Sequence, residues 1–101
     1  MKANKDEYYS RKLAQKYVPD ETEIILLSTK FKDVVKWINK EPTNQVIGYR
    51  ILCGVPDDYF FVKFSKKGKL PTYGSRVKFK GLVACEYKNN IYFKADEIEE
   101  A

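Results

Sequence analysis

A chain of 101 residues is long enough for one modest hydrophobic core and too short for two. Hydrophobic residues make up 44% and charged residues 33%, the balance of a folded globular chain rather than a disordered one. The formal charge is +5, histidine is absent and no apolar run approaches roughly 18 residues, which argues against zinc sites, imidazole acid–base chemistry and membrane-spanning helices.

Residues 1–7 lead into no apolar stretch of the signal-peptide kind, so an intracellular, cytoplasmic location without membrane association is expected. Residues 6–18 place Tyr9, Leu13 and Tyr17 at i, i+4 and i+8, with Pro19 after them, which predicts a helix. Its narrow stripe either caps the domain or docks on another protein. Residues 23–27 form a short apolar run, read as a buried strand, although periodicity alone does not separate it from a helix. Ser28 or Thr29 is a candidate N-cap for a second helix, in which Phe31, Val34, Val35 and Ile38 share one face and Pro42 closes the segment. Trp37 lies outside that face, and its large apolar area favours packing over exposure.

From Asn44 the period changes to two. Ile47, Tyr49, Ile51, Cys53 and Val55 alternate with Val46, Gly48, Arg50, Leu52 and Gly54, and Pro56-Asp57-Asp58 makes a turn. Residues 59–64 form a second strand, followed by a basic loop at residues 65–69. Residues 76–87 alternate over a long strand, with Gly81 in the middle as a bulge or bend. Asn89-Asn90 then turns the chain into a strand at residues 91–95.

Charge is distributed unevenly along these elements. Residues 1–43 carry nine basic and seven acidic side chains, residues 44–95 carry ten and three, and the last six residues add four acids. Basic residues therefore concentrate in the strand-rich part, as in polyanion binders; a merely solvated lysine-rich surface is the plainer alternative.

The runs Gln45-Val46-Ile47-Gly48-Tyr49-Arg50-Ile51, Tyr59-Phe60-Phe61-Val62-Lys63-Phe64, Gly74-Ser75-Arg76-Val77-Lys78-Phe79-Lys80-Gly81-Leu82-Val83 and Asn90-Ile91-Tyr92-Phe93-Lys94-Ala95-Asp96-Glu97-Ile98 resemble, in order, the first, second, fourth and fifth strands of OB-fold domains. These are domains of the kind found in replication protein A and in anticodon-binding modules. The resemblance covers about residues 44–99, and the third strand and the helix before the fourth are hardly visible between Ser65 and Tyr73. It implies a mostly β fold with N-terminal helices: a small five-stranded OB-like barrel at residues 44–101, with residues 1–43 packed on it as one compact domain.

In a closed barrel alternate side chains enter the core. Phe60, Val62 and Phe64 then point inward, as do Val77, Phe79, Val83 and Cys85 if Gly81 inserts no extra residue. Tyr59, Phe61 and Lys63 point outward, with Lys78, Lys80, Tyr92 and Lys94. Such a face stacks bases on aromatics while cations follow phosphates. The candidate nucleic-acid contacts are Arg50, Tyr59, Phe61, Lys63, Lys66, Lys67, Lys69, Lys78, Lys80, Lys88, Tyr92 and Lys94. Tyr9, Leu13 and Tyr17 are the candidate contacts to a protein partner. Cys53 and Cys85 share inward parity on strands that neighbour each other in such barrels, so a disulfide is one expectation and two buried reduced thiols the other.

The expected function is non-catalytic binding of single-stranded DNA or RNA, without cofactor or metal. The chain has no P-loop pattern and no nucleophile with an evident base. The alternative is a subunit of a replication, repair or transcription complex that docks through its N-terminal helix.

Overall fold

The computed structural model describes residues 8–101. Its single helix, α1 (Arg11–Tyr17), begins where Ser10 accepts the Leu13 N–H on its side-chain oxygen at 3.0 Å. Leu13, Ala14 and Val18 pack into the core, so the buried stripe is offset from the Tyr9–Leu13–Tyr17 line, and Tyr17 stays exposed. Asp6 and Glu7, where the sequence starts this helix, lie outside the described residues.

Eight strands follow: β1 (Ile25–Leu26), β2 (Lys32–Ile38), β3 (Glu41–Val55), β4 (Asp58–Phe64), β5 (Val77–Lys80), β6 (Val83–Tyr87), β7 (Asn90–Lys94) and β8 (Glu97–Glu100). The second helix expected at residues 31–38 is therefore strand β2. Tight turns explain the meander. Asn39 and Lys40 both take positive φ (52° and 65°), the two-residue hairpin geometry that matches strand twist, and Lys88 and Asn89 repeat it between β6 and β7. Pro56 with Asp57 at φ 66° turns β3 into β4. Pro42, expected to end a helix, opposes Trp37 within the β2–β3 ladder.

The main sheet runs β1-β3-β4-β7-β6, with β2 also hydrogen-bonded to β3. β4 and β7 are parallel; the other ladders are antiparallel. β5 and β8 form a separate antiparallel pair. The strands thus form two sheets and not the closed five-stranded barrel expected. Backbone hydrogen bonds Leu26 N–H to Ser75, Gly74 N–H to Leu26 and Val77 N–H to Ile24 (2.8–3.0 Å) tie the short edge strand β1 to the approach to β5. β3 crosses residues 43/44 without interruption and carries β1 and β2 on it.

Leu26, Ile51, Cys53, Val62, Phe64, Val77, Ala84 and Phe93 form the centre of the core. Phe60 stacks near Phe93 (ring centroids 4.7 Å apart) and Phe31 meets Phe64 edge-on at 5.6 Å. Trp37 is 63% exposed, contrary to its expected packing, because it lies on the part of the β2–β3 hairpin whose burial pattern is exposed on both strands.

Gly81 resets the side-chain alternation. Val77 and Phe79 pack on the core before it, Leu82 and Ala84 after it, so one residue has been added between β5 and β6. Its φ of +69° removes it from both ladders. Val83 and Cys85 consequently face away from the Ala84–Phe93 pair, which corrects their expected inward orientation; Cys85 sits opposite Tyr92 instead. Cys53 lies on the core side opposite Phe60. Both cysteines are buried free thiols, and the expected disulfide is not formed.

Two consequences are measurable. A Cβ at Gly81 falls 2.2 Å from Asp96 Oδ2, and the left-handed backbone disfavours any L side chain. Gly81→Ala should cost about 1–2 kcal/mol, read as a lower urea midpoint at unchanged slope. Burial pushes the Cys53 thiol from its ordinary 9.0 up to about 12. The folded state therefore favours the neutral thiol, a contribution complete below pH 9 and lost as pH rises toward about 12. Wild type should lose stability across that window more steeply than Cys53→Ala, as followed by urea denaturation at several pH values.

Candidate functional site

Outward residues of β3, β4 and β7 line a groove of about 640 Å³ that also reaches the core-packed Phe60 and Phe93, and Tyr9, before α1, and Tyr17, the last residue of α1, line it as well. Its pattern follows from register. Arg50 opposes Lys63, and Lys63 pairs with Lys94 across the parallel ladder. Two residues along the strands comes a second row, Leu52, Phe61 and Tyr92, and then a third, Gly54, Tyr59 and Asn90. Cations thus share one row and aromatics the next, with Tyr59 beyond them.

The rings on this face are exposed and stand beside cations. Tyr59, Phe61 and Tyr92 are 65%, 45% and 46% exposed, high values for rings on a sheet whose other face is core. The Arg50 guanidinium lies over the Phe61 ring, 4.6 Å from its centroid, so the cation is held beside the aromatic row. Lys94 Nζ lies 4.3 Å from the Tyr9 ring centroid. Gly48 makes room for Lys63: a Cβ there would come 2.7 Å from Lys63 Cε. At the helix side, the Tyr17 hydroxyl donates to Glu86 Oε1, and that hydrogen bond raises the phenol above its ordinary value.

Arg50, Tyr59, Phe61, Lys63 and Tyr92 therefore come together in the groove, with Lys94 in the same row as Arg50 and Lys63. Other candidates do not join them. Lys78 and Lys80 stand on the β5–β8 pair, where Lys78 meets Glu99 at 3.6 Å and Lys80 meets Glu97 at 3.5 Å. The acidic C-terminal run is thus a strand that answers these two lysines. Lys67 reaches Asp33 (3.9 Å) and the Tyr49 ring, residues whose parity puts them on the face away from Arg50. Lys66 and Lys69 are exposed in the loop after β4, outside the groove. Lys88 lies over the Tyr87 ring in the β6–β7 turn, two residues from Asn90. Of the candidate partner contacts, Leu13 packs on the chain's own core, whereas Tyr9 and Tyr17 line the groove. Reading the sequence missed Gly48, Val34 and Asn90. The outward parity of Gly48 with Arg50 was a usable signal for the first; Val34 was hidden by the helical reading of its segment.

Among the described residues no three Cys, Asp or Glu side chains are grouped to hold a metal ion, and no helix is long and apolar enough to cross a membrane. No protein-family model, curated protein or solved structure matches the chain.

Because Lys78 and Lys80 sit in exposed cross-strand ion pairs, their joint replacement by alanine should lower stability by no more than about 1 kcal/mol. The difference between variant and wild type should shrink in high salt, as measured by thermal or urea unfolding.

Proposed function

We propose that this protein binds single-stranded nucleic acid in the β3–β4–β7 groove, without catalysing a reaction on it. The observation that carries the reading is the separation of the groove into a cation row (Arg50 and Lys63, continued outside the lining by Lys94) and an adjoining aromatic row that includes Phe61 and Tyr92. A single strand presents both parts at once: phosphates for the cations and unstacked base faces for the rings. A duplex hides the base faces in its own stack, and a free phosphate has none. Stacking accepts any base, so affinity is expected to depend weakly on sequence and strongly on salt.

The architecture is of an OB-like kind in this reading. The parallel β4–β7 ladder, the Val77 N–H donating to Ile24 and the backbone bonds of Leu26 with Gly74 and Ser75 bring the two sheets around one core, as in a partly open five-stranded barrel.

Short single-stranded DNA and RNA oligonucleotides should bind the full chain in a fluorescence-anisotropy titration, more tightly than duplex and more weakly as salt rises. Tyr59→Ala combined with Phe61→Ala should weaken that binding about tenfold or more, since each stacked base contributes roughly 1–3 kcal/mol. The paired substitution at Lys78 and Lys80 should leave it within about twofold, a residual salt-screened field effect. Unchanged affinity in a folded Tyr59/Phe61 double variant would reject this groove.

A further inference from the structure

The β2–β3 hairpin outruns the sheet it belongs to. β4 pairs with β3 only from Tyr49 to Val55, so residues 41–48 of β3 have β2 as their one strand partner among the described residues. This ribbon is apolar on one face: Val35 opposes Val46, and Trp37 opposes Pro42. The pair before them on that face is Asp33 with Tyr49, whose parity is that of the buried Ile51. The arm therefore continues the core side of the sheet past the point where the chain covers it, which leaves Trp37 and Val46 exposed. β2 is an edge as well. Among the described residues no strand pairs with its outer side.

We infer that two copies of this chain dimerise through the arm, their β2 strands paired antiparallel, edge to edge, about a two-fold axis at Val35. Any extended strand could hydrogen-bond to this edge; the side-chain rows single out a second copy. Opposing residues of an antiparallel pair share a face, so a two-fold axis that continues the sheet passes through one residue position. Val34 at the axis sets Lys32 against the partner's Lys36, and Lys32, Asp33 or Lys36 there meets its own like charge. Trp37 or Ile38 at the axis calls on Asn39 and Lys40, which have left the strand at positive φ. Val35 is the middle of the seven residues of β2 and pairs all of them with no like charges opposed.

At that register Val46 and Val35 form one apolar row with their two counterparts, and Pro42 and Trp37 continue into the partner's Asp33 and Tyr49. The indole N–H thereby meets a carboxylate. Asp33 turns one oxygen to Lys67 at 3.9 Å and is still exposed, which leaves the other for that donor. On the opposite face Arg50 and Lys32 continue into the partner's Ile38 and Glu41, so the row that two cations begin ends on an acid. Symmetry makes the Trp37 and Glu41 contacts twice. The pairing does not depend on what the groove binds.

Trp37 is the chain's one tryptophan, so its fluorescence reports on the arm directly. Between about 1 μM and about 1 mM, sedimentation of the full chain should show the mass rising from one chain toward two. Trp37 emission should shift to the blue over the same range. Trp37→Ala should weaken association about tenfold or more, and Val35→Lys, which opposes itself at the axis, should abolish it. The axis is tested by Val35→Cys, because opposed Cα atoms lie about 4.5–5.5 Å apart, within disulfide reach. Under mild oxidation this variant should give a cross-linked dimer, whereas Ile47→Cys and wild type, whose two thiols are buried, should not. These positions are on the arm and outside the core, and circular dichroism is expected to show each variant folded. A chain that stays monomeric at about 1 mM overturns the inference. So does a dimer that Trp37→Ala leaves intact and Val35→Cys does not cross-link, since its interface then lies elsewhere. A shift of Trp37 emission seen only on adding an oligothymidylate also overturns it, and gives the arm to the nucleic acid instead.

Discussion

The hydrogen-bond register of β3 is the constraint on which the rest depends. Over fifteen residues this strand pairs with β2 along its first part, β1 at its end, and β4 along its second edge. Because side chains alternate, that register fixes two surfaces at once. Ile51 and Cys53 enter the core opposite Val62 and Phe60, while Arg50 and Leu52 emerge opposite Lys63 and Phe61. A slip of one residue would bury the arginine and expose the core. The same burial that stabilises the fold therefore holds the outward cations and rings in their rows, and no separate device is needed to align them.

The far side of the molecule shows how much one backbone position can change. Gly81 leaves the β5–β8 ladder at positive φ, and its missing Cβ admits Asp96, whose N–H donates to the Lys80 carbonyl. That departure ends the small sheet and starts β6 with opposite parity. Ala84 is thereby placed against Phe93, and a methyl group suits a position where α1 also comes close, through the paired Ser10 and Ala84 backbones. The thiols of Cys53 and Cys85 end on different faces for the same reason. No force holds them apart; the parity of the strand does.

The elements legible in the sequence were those with uninterrupted alternation. Tyr59 to Phe64 has no bulge and no glycine, and its inward and outward sides were read correctly, which located the middle of the groove. β2 was misread because its ladder is not regular: the register against β3 shifts between Val34 and Val35 and again before Trp37, with the extra residues on β3. The apolar residues of this segment also fall on both faces, Phe31 on the core and Val34 in the groove, and their spacings of three and four imitate a helix face. The counter-signal lay in the adjacent β-branched pair Val34-Val35 and in Asn39-Lys40, a dipeptide compatible with a positive-φ hairpin turn. The disposition of lysines was legible only in part, since charge counts along the chain carry no information about which face each residue occupies. That became available only when β8 was paired with β5 and Lys67 was found against Asp33.

The pairing of charges also bears on the electrostatic argument. The basic excess in the middle of the chain is not uniform in space: Lys78 and Lys80 have carboxylates of β8 within 4.0 Å, and Arg76 has Glu23 at 2.9 Å. Exposed pairs of this kind contribute little to stability, but at distances beyond a Debye length they act as near-neutral dipoles. The long-range field of the chain is therefore weighted away from the β5–β8 side. The acidic end of the sequence thus offsets positive charge on the β5–β8 pair itself, where Glu97 and Glu99 lie beside Lys78 and Lys80.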